Sequence, residues 1–166
     1  MSRELPKRFP DNLHVVDPLA HIWRSGQPEA EDVPVLVRLG FRSVLNLRRL
    51  YSGRSIFDGT DIREYRIKLF IPSEAEMVEA LRIILTAEKP LLIHCRHGSD
   101  RTGAVAVGYR IVFNRWTLED ALNEFYNPDY GYHPWLYWSL PRKLRRYDWG
   151  RIAAAVHAPG TPPGVS

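Results

Sequence analysis

Three residues at close range can do covalent chemistry in this chain: Cys95, its sole cysteine, Arg101 six positions later, and Thr102 beside it. They sit in His94-Cys95-Arg96-His97-Gly98-Ser99-Asp100-Arg101-Thr102-Gly103. The apolar run Pro90-Leu91-Leu92-Ile93 precedes this string and Ala104-Val105-Ala106-Val107-Gly108-Tyr109 follows it, so the order reads strand, glycine-containing loop, helix. Such a loop gathers backbone N–H groups and the positive end of the helix dipole at one point. Cysteines at helix N-termini near cations titrate at roughly 3.5–7.5 rather than ~8.5, which makes Cys95 a candidate thiolate nucleophile. The Arg101 guanidinium can close the cradle with a bidentate grip on two oxygens of a tetrahedral anion. Thr102 is placed to donate its hydroxyl to the sulfur, in the ground state and again when the sulfur leaves a covalent intermediate. Gly98 and Gly103 permit positive φ and close backbone approach. A lone cysteine is more often a small buried hydrophobe; the whole ten-residue string is what argues for a nucleophile.

The pattern His94-Cys95-x-x-Gly98-x-x-Arg101-Thr102-Gly103 resembles the signature loop of the cysteine-based protein tyrosine and dual-specificity phosphatases. Trp23-Arg24-Ser25-Gly26-Gln27-Pro28 resembles a segment near the start of the small atypical dual-specificity phosphatases of bacteria, plants and fungi, and Asn46-Leu47-Arg48 after Ser43-Val44-Leu45 fits the same group. The resemblance runs from about Trp23 to Tyr132. It implies an α/β fold with a central, mostly parallel, twisted sheet flanked by helices, and a reaction that needs no metal or other cofactor. In such a site Cys95 attacks phosphorus, Arg101 binds the equatorial oxygens, and His94 positions the loop and favours the thiolate. Arg96, His97, Gly98, Ser99, Thr102 and Arg48 are the expected substrate-binding residues.

The elements that must position this loop alternate as an α/β domain requires. Strands are expected at 13–16, 42–47, 64–70 and before Cys95. Helices are expected at 29–39, stopping at Gly40, from Ser73 with its capping partner Glu76, after Cys95, and from Thr117. A last helix should run from Leu136 to about Ile152, broken or kinked early by Pro141. Residues 50–62 form the longest irregular segment and should line one wall of the site. The 166 residues divide into an N-terminal extension (1–12), a catalytic domain (13–152) and a disordered tail (153–166) carrying Pro159, Pro162 and Pro163.

Met1–Arg8 lacks an apolar leader core, and no stretch approaches the ~18 apolar residues of a membrane span. One cysteine excludes an internal disulfide and suits a reducing compartment, so a cytoplasmic monomer is expected. The formal charge of +4 permits anionic substrates without requiring nucleic acid.

Expelling an alkoxide or phenolate needs a proton, a step worth 10²–10⁴-fold, or roughly 3–5.5 kcal/mol. Related phosphatases place an Asp on a separate loop. Here the upstream acids Asp58, Asp61, Glu64, Glu74 and Glu76 include none in an identifying motif, although Asp58 and Asp61 lie on the irregular segment. Asp100 is the other candidate, as in the Asp-Arg-Thr loop of myotubularin-like lipid phosphatases. Like charge beside a thiolate and a phosphate favours its protonated donor form, or it braces the loop. The substrate expected is a phosphorylated protein. Arg96 and His97 point as well to phosphoinositide or inositol polyphosphate head groups, and His94-Cys95-x-His97-Gly98 is similar to RNA 5′-triphosphatase loops. The run Arg142-Lys143-Leu144-Arg145-Arg146, bracketed by aromatics, reads as the solvated face of a helix, so a nucleic-acid partner is not expected. His94 and the Arg101-Thr102 ending disfavour a rhodanese-type sulfurtransferase, and the intact nucleophile and arginine disfavour an inactive phospho-binding module.

Overall fold

Short, mostly buried strands, and helices capped by their flanking side chains, build the scaffold behind residues 95–102. The computed structural model describes residues 9–50 and 54–160. Five strands, β1 His14–Asp17, β2 Ile22–Ser25, β3 Ser43–Asn46, β4 Arg63–Arg66 and β5 Leu91–His94, form one sheet in the order β1-β2-β5-β3-β4. β1 is antiparallel to β2 and the remaining pairings are parallel. β5 thus lies in the middle, with His94 level with Ser25 on one side and Asn46 on the other.

A parallel sheet must be covered on both faces. β5 meets that demand through the pleat: Leu91 and Ile93 enter the larger core, and Leu92 enters the smaller one. The larger core is closed by α2 Glu74–Thr86, α3 Arg101–Val112, α4 Leu118–Phe125, α5 Leu140–Arg146 and α6 Trp149–His157. The smaller is closed by α1 Val33–Arg38 together with Phe57 and Ile62. α2 begins with the expected reciprocal box, Glu76 N–H donating to Ser73 Oγ at 3.1 Å and Ser73 N–H to Glu76 Oε1 at 3.0 Å. Thr117 accepts from Asp120 N–H at 3.1 Å to start α4. Among the described residues, no helix is long and apolar enough to cross a membrane.

Four expectations are corrected. β2 is a strand that sequence periodicity does not announce, because Trp23-Arg24-Ser25 interrupts its apolar pattern. The strand expected over 64–70 ends at Arg66; beyond it only Ile67 and Leu69 donate back to Asn46 and Leu47. The last helix is two. Pro141 lies in the first turn of α5, where its missing N–H costs nothing, and the chain restarts where Asp148 Oδ1 accepts from Arg151 N–H at 3.0 Å. The tail expected from 153 is helical through His157, since Val156 is buried in the larger core. Its residues 161–166, like 1–8 of the extension and 51–53 of the irregular segment, lie outside the described residues. Val156→Ala should lower unfolding free energy by about 2 kcal/mol through lost burial and the cavity left behind, read as a lower urea midpoint; an unchanged midpoint would return this segment to the tail.

Candidate active site

β5 ends at His94 and α3 begins at Arg101, so six residues must turn the chain from a buried strand into a helix start. Gly98 makes the turn. Its φ is 78°, and a Cβ there would stand 2.5 Å from the backbone of Ser25, so only glycine fits. Three successive carbonyls of this loop are held outward by groups from elsewhere in the chain. Gln27 N–H donates to Arg96 O at 2.9 Å, Asn12 Nδ2 to His97 O at 3.0 Å, and Arg24 Nη2 to Gly98 O at 2.8 Å. Because a trans peptide points its N–H opposite to its C=O, the amides of His97, Gly98 and Ser99 face the other way. Gly98 N–H reaches Cys95 Sγ at 3.3 Å.

A second layer holds these holders. Tyr130 O accepts from Asn12 Nδ2 at 3.0 Å and from the Ser99 hydroxyl. The buried Arg24 guanidinium lies 4.0 Å above the Tyr130 ring. Asp100, 2% exposed, has both carboxylate oxygens engaged by His133: Oδ1 accepts its N–H and Oδ2 meets its Nδ1, each at 2.9 Å. Asn12, Arg24, Tyr130 and His133 therefore belong to the site, although none carries a sequence signal for catalysis. The Trp23–Pro28 resemblance marked Arg24 without its task.

Cys95 is 1% exposed at the base of the turn. Arg101 is nearly buried, and its Nε has no hydrogen-bond partner among the described residues; its guanidinium lies 5.9 Å from the Tyr137 ring. Arg101, Arg96 and His97 open, with Arg48, Arg49 and Tyr137, onto a cavity of about 300 Å³. Gln27 Oε1 accepts from Arg48 Nη1 at 2.9 Å, so the segment that seats the loop also aims this arginine. Arg48 lines in addition an adjoining cavity of about 600 Å³.

His94 is fully buried, and its Nδ1 lies 3.2 Å from Cys95 O, which can only accept. Burial first, then the charges of Arg48 and Arg101, lower its pKa to about 4. The ring is neutral at neutral pH and holds the loop by a hydrogen bond, not by charge. His97 is shifted below the ordinary histidine value by burial, by the His133 ring 4.8 Å away and by Arg96.

One expected contact is absent among the described residues, and one hydroxyl of the loop is turned away from the cup. Thr102 Oγ1 is buried without a hydrogen-bond partner among the described residues and does not bond Cys95 Sγ. The Ser99 hydroxyl is turned to Tyr130 O, which leaves only its amide to a substrate. The acids sort by place. Asp61 precedes the start of β4 and so stands at the opposite end of the parallel strands from the loop. Glu74, at the start of α2, is ion-paired with Arg151 at 2.9 Å and accepts from Asp148 N–H. Asp58 is exposed on a turn closed by its own N–H to Ser55 O. None of these three lines the cavity, and neither does Asp100.

A cysteine and an arginine six residues apart, joined by an amide-lined turn between a central parallel strand and a helix, define the cysteine-dependent phosphatases. The chain belongs to the tyrosine phosphatase family, whose sequence model matches residues 9–128. It is 31% identical over 126 residues to the dual specificity protein phosphatase TpbA of Pseudomonas aeruginosa, covering 72% of this chain and 56% of that one. It is 33% identical over 132 residues to the inositol diphosphatase DSP1 of Oryza sativa subsp. japonica, covering 70% and 56%. The chain thus spans little more than half the length of these relatives. Among solved structures it superposes on TpbA with a TM-score of 0.78 at 27% identity, over 89% of this chain and 92% of that one. TpbA in complex with pTyr matches at 0.72 and 26% identity, over 87% and 94%. The catalytic core of the PP-IP phosphatase SIW14 from S. cerevisiae, in complex with citrate, matches at 0.72 and 26% identity, over 88% and 91%.

The buried imidazole makes stability depend on pH. His94 protonates near 4 in the folded chain and near ~6.5 unfolded, so the unfolded state binds more protons between those values. Stability must fall as pH drops through that window, by roughly 3 kcal/mol at its lower end. Thermal midpoints taken from pH 7 to 4 should decline more steeply for wild type than for His94→Asn; parallel declines would show that His94 is not held neutral.

Proposed function

We propose that the protein hydrolyses phosphate monoesters of phosphorylated proteins, phosphotyrosine foremost, through a cysteinyl-phosphate intermediate. One observation carries the reading: Gly98 N–H is aimed at Cys95 Sγ at 3.3 Å, in a turn whose Arg96, His97 and Gly98 carbonyls are drawn outward. That cup suits an anion and a nucleophile at the same point. The Cys95 thiolate attacks phosphorus, the P–O bond to the leaving group breaks, and the electron pair departs with that oxygen, which takes its proton from solvent water. Water then attacks phosphorus, the S–P bond breaks, and orthophosphate and the thiolate are released. The amides of residues 97–99 and the fork of Arg101 hold the equatorial oxygens through both steps. Asp100, bound to His133 on both oxygens, serves as the brace of the loop. The lone free thiol suits a reducing compartment and so supports a cytoplasmic setting, and a monomer is the proposed assembly.

A second reading takes an inositol diphosphate as substrate. It is favoured by the cavity lining itself, where Arg48, Arg49, Arg96 and Arg101 converge with no carboxylate. A leaving phosphate departs as an anion and needs no proton donor. This is also the activity in the names of the rice relative and its plant counterparts.

A fluorogenic aryl phosphate tests the shared chemistry. Cys95→Ser should abolish turnover while retaining phosphate binding, and Arg101→Lys should lower kcat/KM by about 10²–10³-fold because a point charge cannot reproduce the fork. Turnover by Cys95→Ser would overturn the mechanism. Asp100→Asn should keep the basic limb of the pH–rate profile, whereas loss of that limb would make Asp100 the acid. Comparing a phosphotyrosine peptide with an inositol diphosphate at equal concentration ranks the two substrates.

A further inference from the structure

Residues 132–138 form a wall with two sides. Leu136 and Tyr137 line the cavity over the signature loop. Pro134 and Trp138 face a separate groove of about 580 Å³, shared with Tyr126, Tyr132 and three arginines of α5, Arg142, Arg145 and Arg146. Trp138 is 70% exposed and Tyr126 46%, so large aromatic surface stays in water where nothing in the described chain covers it. Arg142, Arg145 and Arg146 share one helical face by their i, i+3, i+4 spacing. Arg145 is bonded to Glu119. Arg142 and Arg146 have no ion-pair partner among the described residues, and no carboxylate lines the groove.

We propose that this groove binds an acidic stretch of the phosphoprotein substrate, a few residues along the chain from the phosphorylated side chain held over Cys95. The proposal rests on the phosphoprotein reading above and extends it to sequence preference. Charge complementarity selects the occupant, because two exposed guanidiniums without partners match carboxylates in bidentate geometry. The aromatic and proline walls suit the apolar stems of an extended chain. Proximity adds the third reason: about four extended residues cover roughly 13 Å, enough to cross a wall one segment thick and continue into the groove.

The test pairs the full chain with its Arg142→Glu/Arg146→Glu variant, whose hydrolysis of the small aryl phosphate should be unchanged. By fluorescence anisotropy at low salt, an unphosphorylated peptide bearing four Asp/Glu should bind wild type about fivefold more tightly than the variant. The matched Asn/Gln peptide should bind both equally weakly. The phosphotyrosine form of the acidic peptide should show the same fivefold loss in kcat/KM, mainly through KM. Equal binding and turnover of the acidic peptide by both proteins overturns the groove. So does sedimentation with phosphatidylserine vesicles that the variant loses while its peptide binding is unchanged, since the face then serves a bilayer. Failure of the underlying reading looks different: wild type would hydrolyse the aryl phosphate and not the phosphopeptide.

Discussion

The catalytic end of this fold depends on keeping three consecutive carbonyls turned away from the sulfur. A tight turn cannot satisfy its own acceptors and still leave its amides free for an anion, so donors must come from outside it. They come from three places: the Asn12 side chain, the Gln27 amide and the Arg24 guanidinium. Arg24 is the most costly of the three, a charge buried to 2% exposure, since burying a cation is unfavourable unless it is paired and bonded. The Gly98 carbonyl and the face of Tyr130 supply that compensation.

The rest of the architecture serves this arrangement by register. β5 lies between β2 and β3, which sets Ser25 and Asn46 on either side of His94. The residues that leave those two strands, Gly26-Gln27 and Leu47-Arg48, therefore reach the loop from opposite sides, and Arg48 and Gln27 bond to each other across it. The same packing explains the close backbone approach at Gly26, where a Cβ would sit 3.1 Å from Arg96 O. Helix α3, buried along most of its length, leaves its first residue, Arg101, at the cavity.

Cys95, Arg101, the strand before them and the helix after them were legible in the sequence because they lie within one short stretch, where glycine placement and an apolar run determine the local backbone. The Ser73–Glu76 capping box and the Thr117 cap were legible for the same reason. What supports the loop was not. Asn12, Arg24, Tyr130 and His133 reach it across 31 to 85 residues of chain, and no spacing rule relates polar groups that distant. Side-chain direction was also out of reach: Ser99 and Thr102 sit where expected, yet one hydroxyl turns to Tyr130 and the other does not meet the sulfur. At the C-terminus, composition misled, because Pro159, Pro162 and Pro163 say nothing about Val156, whose burial continues the helix.

A sheet of four-residue strands leaves two edges, and both are guarded against growth. Among the described residues β4 pairs only with β3 and places Arg63, Glu64 and Arg66 within four residues; Arg66 is paired to Glu64 at 2.5 Å, and Arg63 lies over Tyr65. Short, charged edges resist the docking of a foreign strand. At the other side, β1 slips register between Val15 and Asp17, and the Asp17 carboxylate turns inward to the Tyr109 hydroxyl at 2.6 Å, a bulge that bends the edge out of plane. The sheet that carries the nucleophile thus ends, on both sides, in short edges whose charge or broken register disfavours pairing with another copy of the chain.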